Sequence, residues 1–320
     1  MPSHCASKPK PDTCAHDDDP GADYQQAQDD DWLPIREVAR ITGVNAVTLR
    51  AWERRYGLIV PQRTPKGHRL FCAEHVQRIH NILTWLSRGV AVSQVKQLLG
   101  TPQTLSEPVE NDWHVLRLNL IQAISQLAER QVDDTLNQAM SLYPPRTLCE
   151  QLLMPLLAEL EQRWQGQFGA QMERVFFYSW LRSKFGARTY HNNRQLRGAP
   201  LLLINHSDLP LEPHLWLTAW LISSADCPVE VFDWPLPAGE LAFAVEHLQA
   251  RGVVLYSSKA INLKQLPKLL NNVSCPTLIV GPTVCIHHAE LSERTAEIAD
   301  LSLAEDPLSA HQALVQRGII

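Results

Sequence analysis

TLRAWERRYGLIVPQRTPKGHRLF, from Thr48 to Phe71, decides the fold of the N-terminal part of the chain. Leu49 and Trp52 are spaced to face inward on a short amphipathic helix, which leaves Thr48, Arg50, Arg54 and Arg55 partly or wholly outward. Thr64-Pro65-Lys66-Gly67 reads as a type I turn, with Pro at its second place and Gly at its fourth. Strand-like residues flank that turn and make a tight hairpin carrying Arg63, Lys66, His68 and Arg69. A helix with outward arginines followed at once by a basic hairpin is the layout of a winged helix-turn-helix. Such a helix fits the major groove, and the wing grips phosphates. The expectation is therefore binding to double-stranded DNA.

Upstream, Pro34 suits a first helical position, and Ile35, Val38 and Ala39 give a small apolar face. Gly43 ends that helix and Asn45 can cap the next. Downstream, Val76, Ile79, Leu83 and Leu86 recur at helical spacing until Gly89. Ser93 is placed to cap a fourth helix carrying Val95, Leu98 and Leu99. Between residues 32 and 100 there are eleven Lys plus Arg and three acids, a balance of +8 inside a chain whose net charge is −5. Residues 1–31 carry eight Asp and two Lys. The basic segment is a local electrostatic footprint that the overall charge hides.

At 320 residues the chain has room for two or three domains. The first residues lack the apolar run of a signal peptide, and no stretch approaches the ~20 apolar residues of a membrane span. Seven scattered cysteines do not form a secreted disulfide framework, so a cytoplasmic, nucleoid-associated protein with no membrane contact is expected. Residues 1–31 are acidic, poor in apolar residues and read as a disordered tail. His4, Cys5, Cys14 and His16 match no zinc spacing, so no metal site is expected there.

Gly100 to Glu110 has the composition of a linker. Residues 111–197 are rich in Leu, Ala, Gln and Glu at helical period, predicting a bundle of about four helices near 111–127, 131–142, 146–164 and 170–190, with a break at Tyr143-Pro144-Pro145. After Gly198 the period changes. Short apolar runs at Pro200–Asn205, Val229–Trp234, Gly252–Ser258 and Pro276–Gly281 alternate with helical stretches starting from Pro213, Ala238 and Asn262. A weaker strand near Ile298–Leu303 and a last helix from Pro307 complete residues 198–320 as a flavodoxin-like, Rossmann-like parallel sheet. The fold class is thus multi-domain α and α/β.

Ile35–Gly43, Asn45–Leu58 and Pro61–Phe71 together resemble the DNA-binding head of the MerR superfamily. The form with Trp52 and with Gly67-His-Arg-Leu-Phe71 resembles its MlrA- and CarH-like branch of transcriptional regulators. That resemblance implies that Arg50 and Arg69 contact the DNA backbone, that Asn45, Thr48 and Arg54 approach the groove, and that promoter DNA and RNA polymerase are partners. A single head of this size makes a modest interface, so a homo-oligomer on two half-sites is also expected. In CarH-like proteins a bundle and a Rossmann-like cobalamin-binding domain follow the head, in the same order read here. The similarity to MlrA-like regulators implies activation of genes such as those for biofilm matrix.

The cofactor motifs depart from that pattern. Asp/Glu-x-His-x-x-Gly, whose His ligates cobalt, stands here as Glu212-Pro213-His214-Leu215-Trp216-Leu217, with Leu in place of Gly. The bundle motif, Trp then nine residues then Glu-His, stands as Trp164, eight residues, then Glu173-Arg174. The later Gly-Gly is Gly281-Pro282. His214 is the one candidate cobalamin ligand, and the cofactor is expected to be lost. Catalytic signatures are lacking: His206 with Asp208, Cys227 with Glu230, and the loop doublet His287-His288 make no recognisable site, so an enzyme is not expected. The sequence reading is a DNA-binding regulator whose C-terminal part senses a signal and pairs subunits. Its alternatives are a cobalamin-dependent light sensor, a cobalamin enzyme module with a DNA-binding head, and an architectural DNA protein.

Overall fold

The computed structural model describes residues 32–99, 112–166, 168–207, 210–298 and 300–320. The acidic tail, the linker and Asp208 lie outside the described residues. Strand β1 (Leu33–Pro34) leads directly into α1 (Ile35–Thr42). Pro34 is therefore the extended residue before the helix rather than its first helical position. Gly43, left-handed at φ 68°, ends α1. Asn45 caps α2 (Ala46–Ala51), its side-chain oxygen accepting from the Thr48 N–H at 2.8 Å. That helix runs on through a wide π-type turn (Trp52–Tyr56) to left-handed Gly57. The wing is β2 (Gln62–Arg63) and β3 (Arg69–Phe71), and β1 pairs with the other side of β3. At the wing tip the Gly67 N–H donates to the Thr64 carbonyl at 2.8 Å, closing the turn. Helices α3 (Ala73–Ser87) and α4 (Val92–Leu98) complete the head. Ala91, not Ser93, occupies the cap of α4, since the helix starts one residue before the serine.

The bundle comprises α5 (Asp112–Ser125), α6 (Glu129–Leu142), α7 (Pro145–Leu148), a π-type turn at Cys149–Leu153, α8 (Met154–Trp164) and α9 (Ala170–Asn193). Pro144 and Pro145 stop α6 and start α7, because proline is tolerated only where a helix has no N–H to satisfy.

Five parallel strands follow: β4 (Leu201–Asn205), β5 (Val229–Phe232), β6 (Gly252–Tyr256), β7 (Thr277–Val280) and β8 (Leu301–Ala304), in the order β5-β4-β6-β7-β8. This is the flavodoxin-like order, with its switch point between β4 and β6. Helices α10 (Pro213–Ser224) and α15 (Pro307–Gln316) cover one face, where Leu203, Val254 and Leu278 meet Leu215, Ile222 and Leu314. Helices α11 (Leu241–Leu248), α12 (Leu266–Leu269), α13 (Pro282–Ile286) and α14 (His288–Glu297) follow the later strands, and Leu241, Leu266 and Leu291 pack on the other face. Two expectations change here. The helix predicted from Asn262 is a single turn, because Pro267 allows helix only from Leu266 onward. The His287-His288 doublet starts α14 instead of sitting in a loop. At the sheet edge, the Asn193 side chain both donates to the Val229 carbonyl at 2.7 Å and accepts from its N–H at 3.1 Å.

Head and bundle share one core. Val38, Leu49, Trp52, Ile79 and Leu86 of the head belong to the same buried cluster as Trp113, Leu136, Leu152 and Phe177 of the bundle, and Leu217, Trp220 and Leu221 of α10 join it. Trp52, fully buried, donates its indole N–H to the carbonyl of Leu142 at 2.8 Å. Leu142 is the last residue of α6, so its carbonyl has no partner within the helix. The next residue, Tyr143, packs its ring at a 47° tilt against Trp113 with centroids 4.2 Å apart, and its hydroxyl accepts from the Val92 N–H of the head at 3.4 Å. Burial pushes the Tyr143 hydroxyl up to about 12, so this contact does not titrate near neutrality. Gln151 adds a bond to the Ser87 carbonyl at 3.2 Å. Replacing Trp52 by Phe keeps an aromatic ring but strands the Leu142 carbonyl, and is expected to cost about 1–3 kcal/mol. Urea unfolding measures this directly, and an unchanged midpoint would refute the role given to the indole N–H.

Candidate nucleic-acid interface

The expected DNA-facing residues separate into three groups. Arg54 and Arg55 are exposed in the π-type turn that continues α2, and Arg50 is half-buried in α2 beside them. None of the three makes an ion pair among the described residues. Asn45 is exposed, with its oxygen used in capping and its amide nitrogen left outward.

Thr48 is a correction. It is fully buried, because it lies one helical turn before Trp52 and shares its inward face. It cannot reach a groove. Its neighbour Val47 takes the outward position, 59 % exposed, in line with Arg50 and Arg54 at successive turns. Sequence reading missed Val47 because both residues are short and β-branched, and a shift of one position changes the face.

The third group is the wing. Arg63 and Arg69 stand directly opposite each other on β2 and β3, where like charges repel. Glu53, in the π-type turn, lies between them. One carboxylate oxygen accepts from Arg63 at 2.8 Å and the other from Arg69 at 2.5 Å. Burial raises the affinity of this carboxyl for a proton, but the bonds and charges of Arg69 and Arg63 outweigh it and hold Glu53 below the usual carboxylate range. The glutamate thus ties the wing to the π-type turn that continues α2. Sequence reading counted both arginines as available charge and did not see Glu53. Its only signal was a lone acid among five arginines between residues 50 and 69. Arg63 remains half-exposed, while the Arg69 side chain retains 15 % exposure. His68 is exposed at the wing.

The fold and this surface define a winged helix-turn-helix protein with an α-helical and flavodoxin-like body. A family model described as MerR HTH family regulatory protein matches residues 33–101, and one described as B12 binding domain matches residues 116–189, the bundle. The chain is 31 % identical over 197 residues to the HTH-type transcriptional regulator MlrA of Escherichia coli, covering 62 % of this chain and 78 % of that protein. It is 30 % identical over 241 residues to MlrA of Salmonella typhimurium, covering 74 % of this chain and 92 % of that protein. The HTH-type transcriptional repressor CarH of Myxococcus xanthus matches at 30 % over 146 residues, 41 % of this chain and 47 % of that protein. The chain belongs to the MerR family of helix-turn-helix transcriptional regulators. Among its described residues, no helix is long and apolar enough to cross a membrane.

The match to a B12 binding domain brings cobalamin to be tested against the residues. At the switch point, the His214 ring lies parallel to that of buried Tyr256 at 6.1 Å, with Nδ1 3.7 Å from buried Glu212. Glu212 also accepts from Ser207 at 3.1 Å. Leu217 is fully buried against the bundle, so its side chain fills the place where bare backbone would admit a ring. Beside it, Trp220 packs on Phe185 at 5.0 Å and Arg182 lies over Trp216 at 5.5 Å. Among the described residues, the positions that match the bundle motif offer no second ligand: Arg174 pairs with Glu161 at 3.3 Å and lies over Tyr178, and Glu173 accepts from the Trp164 indole at 3.2 Å. A permanently charged guanidinium cannot ligate a metal. These residues do not fit a corrin.

Two outcomes follow. Glu53→Gln removes the charge that holds the opposed arginines. A carboxylate with a depressed pKa contributes stability that is present above its unfolded pKa and lost as pH falls through its folded one. The wild type should therefore lose more stability than Glu53→Gln as pH drops below the ordinary carboxylate range, and superimposable thermal-denaturation profiles would remove Glu53 from this role. Incubation with hydroxocobalamin followed by desalting is expected to leave no corrin absorbance on the protein. A red chromophore retained at one per chain and abolished by His214→Ala would reverse the fit argument.

Proposed function

We propose that this chain regulates transcription by binding promoter DNA through the face that carries Arg50, Arg54 and Arg55. The observation that carries this reading is that three guanidiniums lack an ion partner among the described residues, while Glu53 holds a basic wing beside them. Arg54 and the Asn45 amide approach base edges, and Val47 offers an apolar surface suited to a thymine methyl group. Arg50, Arg55, Arg63, His68 and Arg69 contact phosphates.

The head spans residues 32–100, the bundle 111–197 and the sheet domain 198–320, which pairs subunits and receives the signal. Similarity to two HTH-type transcriptional regulators supports the regulatory role; on this reading the chain is a cytoplasmic activator that works with RNA polymerase on genes such as those for biofilm matrix. The chain performs no covalent chemistry and works without cobalamin. A head of this size makes a modest interface, so a homo-oligomer spanning two half-sites provides the specificity.

The test starts from genomic fragments selected by the full-length protein. In fluorescence anisotropy, Arg54→Ala/Arg55→Ala is expected to weaken binding about tenfold or more and to reduce the log–log salt slope by about one per lost phosphate contact. Stoichiometry should be two chains per operator. Unchanged affinity and slope would exclude this face, and a single chain on a single half-site would exclude the oligomer.

A further inference from the structure

We infer that the acidic segment 1–31 is an intramolecular ligand of the basic face of the head, taking the place of DNA phosphates when DNA is absent. The inference rests on the DNA-binding reading of that face and identifies a second occupant for it.

Three observations converge. The first is where the segment enters. Leu33 and Pro34 pair with Phe71 and Leu70 of β3, the strand that also forms the wing. Leu33, two positions after Asp29-Asp30-Asp31 in sequence, thus lies in the same sheet as Arg63 and Arg69. An extended chain covers about 3.3–3.6 Å per residue, so Asp17-Asp18-Asp19 can reach roughly 40 Å from that point, enough to cross the whole head.

The second is charge that the head does not balance itself. Residues 32–100 contain three acids. Glu37 is paired with Arg40 at 2.5 Å, and Glu53 is shared by Arg63 and Arg69. Glu74 is the remaining one, and it makes no ion pair with Arg50, Arg54 or Arg55. The third is complementarity. Residues 1–31 carry eight Asp against two Lys, directly preceding a segment of +8. Six of those Asp lie in two triplets.

Tethering makes a weak contact sufficient, because a linked segment acts at an effective concentration in the mM range. Occupation by the tail lowers affinity for every duplex, since phosphates must displace carboxylates instead of small ions. It also makes affinity less salt-dependent, since salt weakens the competitor together with the complex.

The experiment uses the full-length chain with Asp17, Asp18, Asp19, Asp29, Asp30 and Asp31 all changed to Asn. This variant is expected to bind duplex DNA about 3–10-fold more tightly than wild type at ~0.05 M salt, with a steeper log–log slope, and to converge with it near 0.5 M salt, roughly where screening is complete. A control changes Glu230, Glu240, Glu246, Glu290, Glu293 and Glu305 to Gln, giving the same net charge away from the head, and should behave as wild type. Superimposed curves for the wild type and the Asp variant overturn the inference, as does an equal effect in the control.

A second readout needs no DNA. Zero-length carbodiimide cross-linking, mapped by mass spectrometry, should join Lys66 to carboxylates of residues 17–31 at low salt and not at high salt. Cross-links without DNA binding would leave the tail contact standing and remove the DNA-binding reading. Their absence alongside normal DNA binding would remove the tail contact alone.

Discussion

The hydrogen bond from the Trp52 indole to the Leu142 carbonyl is the constraint on which the arrangement of the molecule depends. It joins two incomplete structures. A helix leaves its last carbonyls unsatisfied, and α6 ends at two prolines that cannot supply the missing donors. The turn that continues α2 supplies one, from the side chain of Trp52, which it must bury in any case. Tyr143 and Gln151 repeat the pattern on α4 and α3. The head is therefore fixed to the bundle at the turn that continues α2, and Leu217, Trp220 and Leu221 extend the same core to the sheet domain. A displacement of α10 against α9 has a packed route to α2, with no linker intervening.

Glu53 works on the opposite side of the same turn. Trp52 anchors α2 inward and Glu53, the next residue, anchors the wing outward. The π-type turn that contains both changes the phase of the helix at that point, so consecutive side chains serve two bodies. The cobalamin-like face obeys a related logic. The side chains that close it, Leu217, Trp216 and Trp220, also weld the sheet domain to the bundle. Packing between the domains takes the space in which a cofactor would otherwise mediate between them.

Local signals made the head and the strand order legible in the sequence. Gly43, Asn45 and Thr64-Pro-Lys-Gly67 each determine a turn or cap within a few residues, and the apolar runs of the sheet sit at the expected places. Contacts between distant residues were not legible. Trp52 was correctly read as core, but its partner lies 90 positions away. Thr48 was read as outward because a six-residue helix gives too few repeats to set its phase. Glu53 looked like one acid in a basic stretch until the hairpin placed two arginines against it. The start of α14 was missed because His287 is not one of the usual capping residues.

The Asn193 amide gives the sheet a boundary with its own consequence. Along β5, the carbonyl of Pro228 bonds to Leu201, so the peptide groups of Val229 point to the open side. An exposed row of this kind is a template on which another polypeptide can add a strand. Asn193 answers both groups of Val229 as a neighbouring strand would, and charged Glu230 follows on the exposed surface. One amide at the end of α9 therefore caps the first residue of the edge strand. It denies another polypeptide the Val229 end of β5 as a template for pairing.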